Sequence, residues 1–209
     1  MATFFNKRKQ IIAIHICILL TAILTACSGV KNQIKWTEYP DSERELINLA
    51  GEQYFSATIT GLTNEINSIR MYVEEYQDGN LTQKYEGPEL DLFKKKKPKG
   101  LRTLFILEEN ETNDFETIKK TIKMGLIDNE GSAMTKSVNL DTFESDTLSS
   151  GMSSSAEFPS SIPLGEPVLI GCNINSYSDD TDFTGAITDD NKNNLIKNDH
   201  VILFYVNAD

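Results

Sequence analysis

The sequence predicts an all-β fold: an antiparallel β-sandwich, roughly immunoglobulin-like, of about eight strands. Three observations predict it. Apolar residues recur at period two in one run after another. The runs are rich in Val, Ile, Phe, Tyr and Thr, which suit a pleated, half-buried surface. Turn residues separate the runs at short intervals, and helical periodicity is scarce.

Taken in order, residues 1–26 form an N-terminal segment of their own, 27–40 a polar tether, and 41–209 the sandwich domain. Asp41 to Ala50 fits a short capped helix stopped by Gly51, and fits a strand entry equally well. From Gln53, Phe55, Ala57 and Ile59 alternate with polar neighbours as a strand should. Gly61 to Asn67 reads as a turn. In the next run Ile69, Met71 and Val73 face one way and Arg70, Tyr72, Glu74 and Tyr76 the other. Asp78-Gly79 between two extended runs is a hairpin signal, because a two-residue turn needs positive φ.

Leu81 to Glu86 is the returning strand, and Gly87 to Gly100 reads as a loop. Leu101 to Glu108 is apolar on both parities, as in a strand covered on both faces. Glu116 to Leu126 admits a helix, but Thr117, Ile118, Thr121 and Ile122 are β-branched and favour a strand. Ser132 to Leu140 is a weaker one. Residues 141–161, rich in serine, read as a long mobile loop or an internal linker. Val168 to Tyr177 places Val168, Ile170, Cys172 and Ile174 on one face. Ser178 to Asn198 reads as an acidic loop, and Val201 to Val206 as a central strand.

The N-terminal segment has its own logic. Lys7, Arg8 and Lys9 precede an apolar run from Ile11 to Ala26, which is the layout of a secretory signal. The run is shorter than the ~20 residues that span a bilayer as a helix. It ends in Leu24-Thr25-Ala26-Cys27, which resembles the lipobox of bacterial lipoproteins. That resemblance implies cleavage after Ala26 and a diacylglyceryl thioether on Cys27. Two acyl chains hold a protein stably where one does not. The expected address is the outer face of the cell membrane. Ser28 follows the cysteine, not an aspartate that would retain the protein at an inner membrane. In general layout the chain resembles Gram-positive lipoproteins with a β-sandwich domain.

The segment contains three cations and no acids, so residues 27–209 keep 17 Lys+Arg against 31 Asp+Glu. Such an acidic domain is repelled by nucleic acid. Cys17 leaves with the signal and Cys27 is assigned to lipid, so only Cys172 remains and no intramolecular disulfide is expected.

Candidate chemistry is sparse. His200 beside Asp199 is the one histidine after the signal, and no Gly-x-Ser-x-Gly accompanies it; an exposed strand edge is its expected place. Cys172 shares a face with Val168, Ile170 and Ile174 and is expected to be core. Asp179, Asp180, Asp182, Asp189 and Asp190 supply oxygen ligands, but not in the order of a calcium loop. No metal, cofactor or catalytic residue is expected. Lys94, Lys95, Lys96 and Lys97 form a basic run suited to anionic headgroups or wall polymers. Arg70, Tyr72, Glu74 and Tyr76 form an outward stripe suited to a partner in the cell envelope, since tyrosine joins flat area to a polar tip. The expected role is a non-enzymatic, membrane-tethered binding or accessory module. A subunit of a transporter or sensor complex is the alternative, and a wall-acting hydrolase a weaker one.

Overall fold

The computed structural model describes residues 31–51, 53–111, 117–140, 143–144, 149–154, 158–176, 187 and 189–209. The signal segment and Cys27 lie outside them. Two sheets face each other. One runs β1 (Gln33–Trp36), β2 (Gln53–Thr60), β5 (Gly100–Glu111), β6 (Thr117–Asp128), β7 (Ala133–Asn139), with β8 (Phe143–Glu144) also on β6. The other runs β4 (Asn80–Asp91), β3 (Ser68–Gln77), β11 (His200–Ala208), β10 (Val168–Ser176), β9 (Ser149–Ser154). Every strand ladder is antiparallel. The expected all-β sandwich is therefore the architecture. In an immunoglobulin domain the last strand closes a sheet edge; here β11 lies in the middle, between β3 and β10.

The core lies between the sheets. Phe55 and Ile59 of β2, Phe105 and Leu107 of β5, and Met124 of β6 meet Met71 and Val73 of β3 and Ile202 and Phe204 of β11. Phe204 touches the rings of Phe55 and Phe105 at 5.0 and 5.3 Å between centroids. Each such burial is worth about 1.5–3 kcal/mol. The Asp78-Gly79 hairpin forms as the sequence predicts, with φ of 49° and 81°.

Each outer face carries a helix. α1 (Asp41–Ala50) packs Ile47 against Tyr39 and Ile106 on one sheet. This resolves the helix-or-strand ambiguity. Ile47 is its one buried residue, so packing holds it lightly, while Asp41 and Glu43 in its first turn favour a helix through the backbone dipole. α2 (Asp189–Leu195) lies on the other sheet, where Leu195 and Ile187 cover Cys172, Ile174, Leu203 and Tyr205.

Five expectations are corrected. The tether is not all tether, because β1 pairs with β2 along its length. The loop from Gly87 begins only after Asp91, where β4 ends. The serine-rich stretch contains β8 and β9, and β9 bonds to β10 through backbone groups that leave no side-chain signature. The acidic loop contains α2. On β10 the register shifts between Leu169 and Gly171, a bulge that reverses parity. Val168 and Ile170 therefore join the central core, while Cys172 and Ile174 point to the outer layer. Cys172 is buried as expected and keeps Ile174 as a neighbour, but it does not share a face with Val168 and Ile170.

Candidate functional site

At one end of the sandwich the inward stripes turn from apolar to polar. The stripe Met71, Val73 continues to Glu75; Phe204, Ile202 to His200; and Met124, Ile122 to Lys120. Beyond the bulge, β10 turns Asn173 and Asn175 inward. All five side chains are buried. Removing such groups from water is costly unless each finds a partner, and each does.

Glu75 sits at the centre. Its Oε1 is 2.8 Å from His200 Nε2, and its Oε2 accepts from the Tyr85 hydroxyl at 2.8 Å. Burial pushes the carboxyl up, but the bonds from His200 and Tyr85 and the charge of Lys120 outweigh it and hold the pKa below the ordinary glutamate value. Asn175 Nδ2 meets His200 Nδ1 at 3.0 Å and Asn173 Oδ1 at 3.0 Å. That pattern assigns Nδ1 as acceptor and places the ring proton on Nε2, facing Glu75.

Lys120 crosses from the opposite sheet. Its Nζ donates to Asn175 Oδ1 at 2.7 Å and Asn173 Oδ1 at 3.3 Å, and pairs with Glu109 Oε1 at 2.7 Å. Asn173 Nδ2 bonds to Gln53 on β2 at 2.9 Å. Ser176 donates to Asp199 at 3.0 Å. His200, expected at an exposed edge, is thus buried on the central strand. Sequence reasoning passed over Glu75, Lys120, Asn173 and Asn175. Glu75 and Lys120 were signalled by the continuation of apolar period-two stripes by polar residues of the same parity; Asn173 and Asn175 were not, because the bulge on β10 changes their parity.

The stripe Arg70, Tyr72, Glu74 and Tyr76 does occupy the outer face of its sheet, but that face is largely covered. Tyr72 is 5% exposed, stacks on Tyr205 at 4.9 Å, and has Lys84 Nζ 3.7 Å over its ring. Arg70 pairs with Asp209 at 3.2 Å. Tyr76 donates to Glu74 at 3.0 Å, and burial followed by that carboxylate pushes its pKa up to about 12.

The lysine run lies at the other end of the sandwich, in the β4–β5 loop. Buried Leu92 roots the loop, its N–H bonding to the Asn67 carbonyl at 2.7 Å. Asp91 Oδ1 accepts from the Phe93 N–H at 2.9 Å, and Lys95 pairs with Asp91 at 3.0 Å. The Phe93 bond, then Lys95, lowers the Asp91 pKa. Lys97 Nζ turns back to the carbonyls of Leu92, at 2.7 Å, and Ile66. Lys95 and Lys97 therefore brace the loop, while Lys94 and Lys96 are exposed. Lys94 occupies the left-handed region at φ 53°.

Asp179, Asp180 and Asp182 lie outside the described residues, and Asp189 and Asp190 open α2. Among the described residues, no three His, Cys, Asp or Glu side chains gather as a metal site.

Fold and site define a two-layer all-β sandwich with a helix on each outer face and a buried polar cluster at one end. The chain belongs to the YgaN domain family, whose profile matches residues 33–208, from the first strand to the last. It is similar to an uncharacterised protein, YgaN, of Bacillus subtilis (strain 168). The two are 31% identical over 186 residues, covering 88% of this chain and 98% of that protein. No solved structure matches the chain.

Proposed function

We propose that this protein is a surface lipoprotein, anchored through Cys27 at the outer face of the cell membrane and acting there by binding. The observation that carries this reading is Leu24-Thr25-Ala26-Cys27 at the end of a basic-then-apolar leader. The family match supports it by beginning at residue 33, six residues beyond the cysteine. The polar cluster speaks against His200 as a general base. Both ring nitrogens of His200 are engaged, by Glu75 and Asn175, whereas a general base needs a nitrogen turned to its substrate. Expression of the full chain and of Cys27→Ala, followed by membrane fractionation and mass measurement of the mature N-terminus, tests the anchor. The expected result is a diacylglyceryl mass on Cys27 and loss of membrane retention in the variant. An unmodified Cys27 defeats the reading.

One observation favours a second reading, an accessory subunit of a membrane complex. Leu46 and Leu49 are 66% and 84% exposed on α1. Three residues apart, they share one face of the helix. Crosslinking from that face in intact cells, with Leu46→Glu/Leu49→Glu as control, reads whether a membrane protein covers it.

A further inference from the structure

We infer that the sandwich meets the bilayer end-on, with Phe93 entering the headgroup layer of an anionic membrane and Lys94 and Lys96 on its phosphates. This rests on the proposed anchor at Cys27. The chain enters the fold at the same end as the lysine loop. Asn32 N–H bonds to the Gly61 carbonyl at 3.0 Å, and its side chain exchanges bonds with Thr63 at 2.8 and 3.2 Å. Ile66 N–H bonds back to the Thr63 carbonyl at 3.3 Å, and the Ile66 carbonyl accepts from Lys97. One turn, residues 61–67, therefore joins the entry of the chain to the root of the basic loop.

The tether is short. Extended chain advances at most ~3.5 Å per residue, so Gln33 lies within roughly 20 Å of Cys27. A cation held that near an anionic surface sits at high effective concentration. The loop also has the composition of an interfacial contact. Phe93 is 55% exposed, and Lys94 Nζ lies 5.0 Å from its ring centroid. Leu164, 47% exposed, adds a second apolar residue at this end, where Gly165 N–H bonds to the Ala208 carbonyl at 2.8 Å. Aromatic and basic residues together are what the interface between water and lipid accepts. Glu65, Glu130 and Glu166 are exposed at the same end. The attraction is therefore local to the loop, and it selects an orientation in which the loop leads.

The test uses the full lipidated chain carrying Phe93→Trp, reconstituted in phosphatidylcholine vesicles with and without brominated phosphatidylglycerol, with Trp36 of the parent chain as background. The expected result is quenching of the new tryptophan by the brominated anionic lipid. Adding Lys94→Glu/Lys96→Glu should cut the quenched population roughly tenfold or more, and the milder Lys94→Gln/Lys96→Gln should give an intermediate loss. Equal quenching with and without the lysines, or none at all, overturns the inference. So does protection of the introduced tryptophan by an added anionic wall polymer without quenching by lipid. The mass of the same sample reports lipid on Cys27 independently, so failure of the anchor and failure of the orientation are told apart.

Discussion

Lys120 on one sheet reaches Asn175 on the other, 2.7 Å from Nζ to Oδ1, through the interior of the sandwich. The contact bridges β6 and β10 where the apolar core stops. It ties the sheets by geometry that dispersion alone does not impose. Its energetic consequence is asymmetric: a buried pair adds little over an apolar substitute, but a broken one leaves a charge stranded.

Lys120→Ala should therefore destabilise the domain by about 3–5 kcal/mol, leaving Glu109 without its counter-ion and Asn175 Oδ1 without its donor. Lys120→Met combined with Glu109→Gln should recover much of that, because no buried charge is then unpaired. Urea unfolding of the three proteins measures both. A Lys120→Ala loss no larger than that of the double variant would show that the bridge is idle.

Acid should weaken the same end. The folded-state pKa of Glu75 lies below its unfolded value. Its contribution is thus fully present above about 4.3, the ordinary glutamate pKa, and is lost as pH falls through the depressed one. Glu75→Gln should be less stable than the parent at neutral pH and show a shallower loss in acid. Unfolding midpoints followed from neutral pH downward report the slope, and parallel curves would clear Glu75 of the effect.

The bulge on β10 makes a packing prediction. A Cβ at Gly171 would lie 2.3 Å from the Phe55 ring. Gly171→Ala should cost about 1–3 kcal/mol through overpacking. Pairing it with Phe55→Leu should be less harmful than the two single costs added together, because the smaller side chain makes room. Strict additivity in the double-mutant cycle would place the strain elsewhere.

Cys172 lies at 0% exposure beneath α2. Its thiol should resist an aqueous thiol reagent in the folded protein and react once on unfolding. Rapid labelling under native conditions would mean that α2 opens readily.

Leu46→Glu/Leu49→Glu should leave stability within about 0.5 kcal/mol, because neither side chain is buried. A large loss of thermal stability in the isolated protein would mean that these leucines serve the fold and not a partner.

The fold class was legible because burial between two sheets writes period two into the chain. Phe55-Ala57-Ile59 and Ile69-Met71-Val73 could be assigned to a core face without coordinates. The Asp78-Gly79 turn was legible because only a few residues tolerate its dihedrals. The basic run was visible as composition, but its division into Lys95 and Lys97 as braces and Lys94 and Lys96 as exposed cations was not. Edge strands β1 and β9 were missed because backbone hydrogen bonds hold them and need little from side chains.

By itself, then, the sequence determined the all-β class, the turns and the alternation of the core strands, because those are local consequences of residue chemistry. Only the tertiary structure decided that His200 meets Glu75, 125 residues away, and that Lys120 crosses the sandwich to Asn175. It also decided that the basic loop shares an end with the entry of the chain. Such proximities depend on strand order and register, and on a one-residue bulge that reverses every side chain after it.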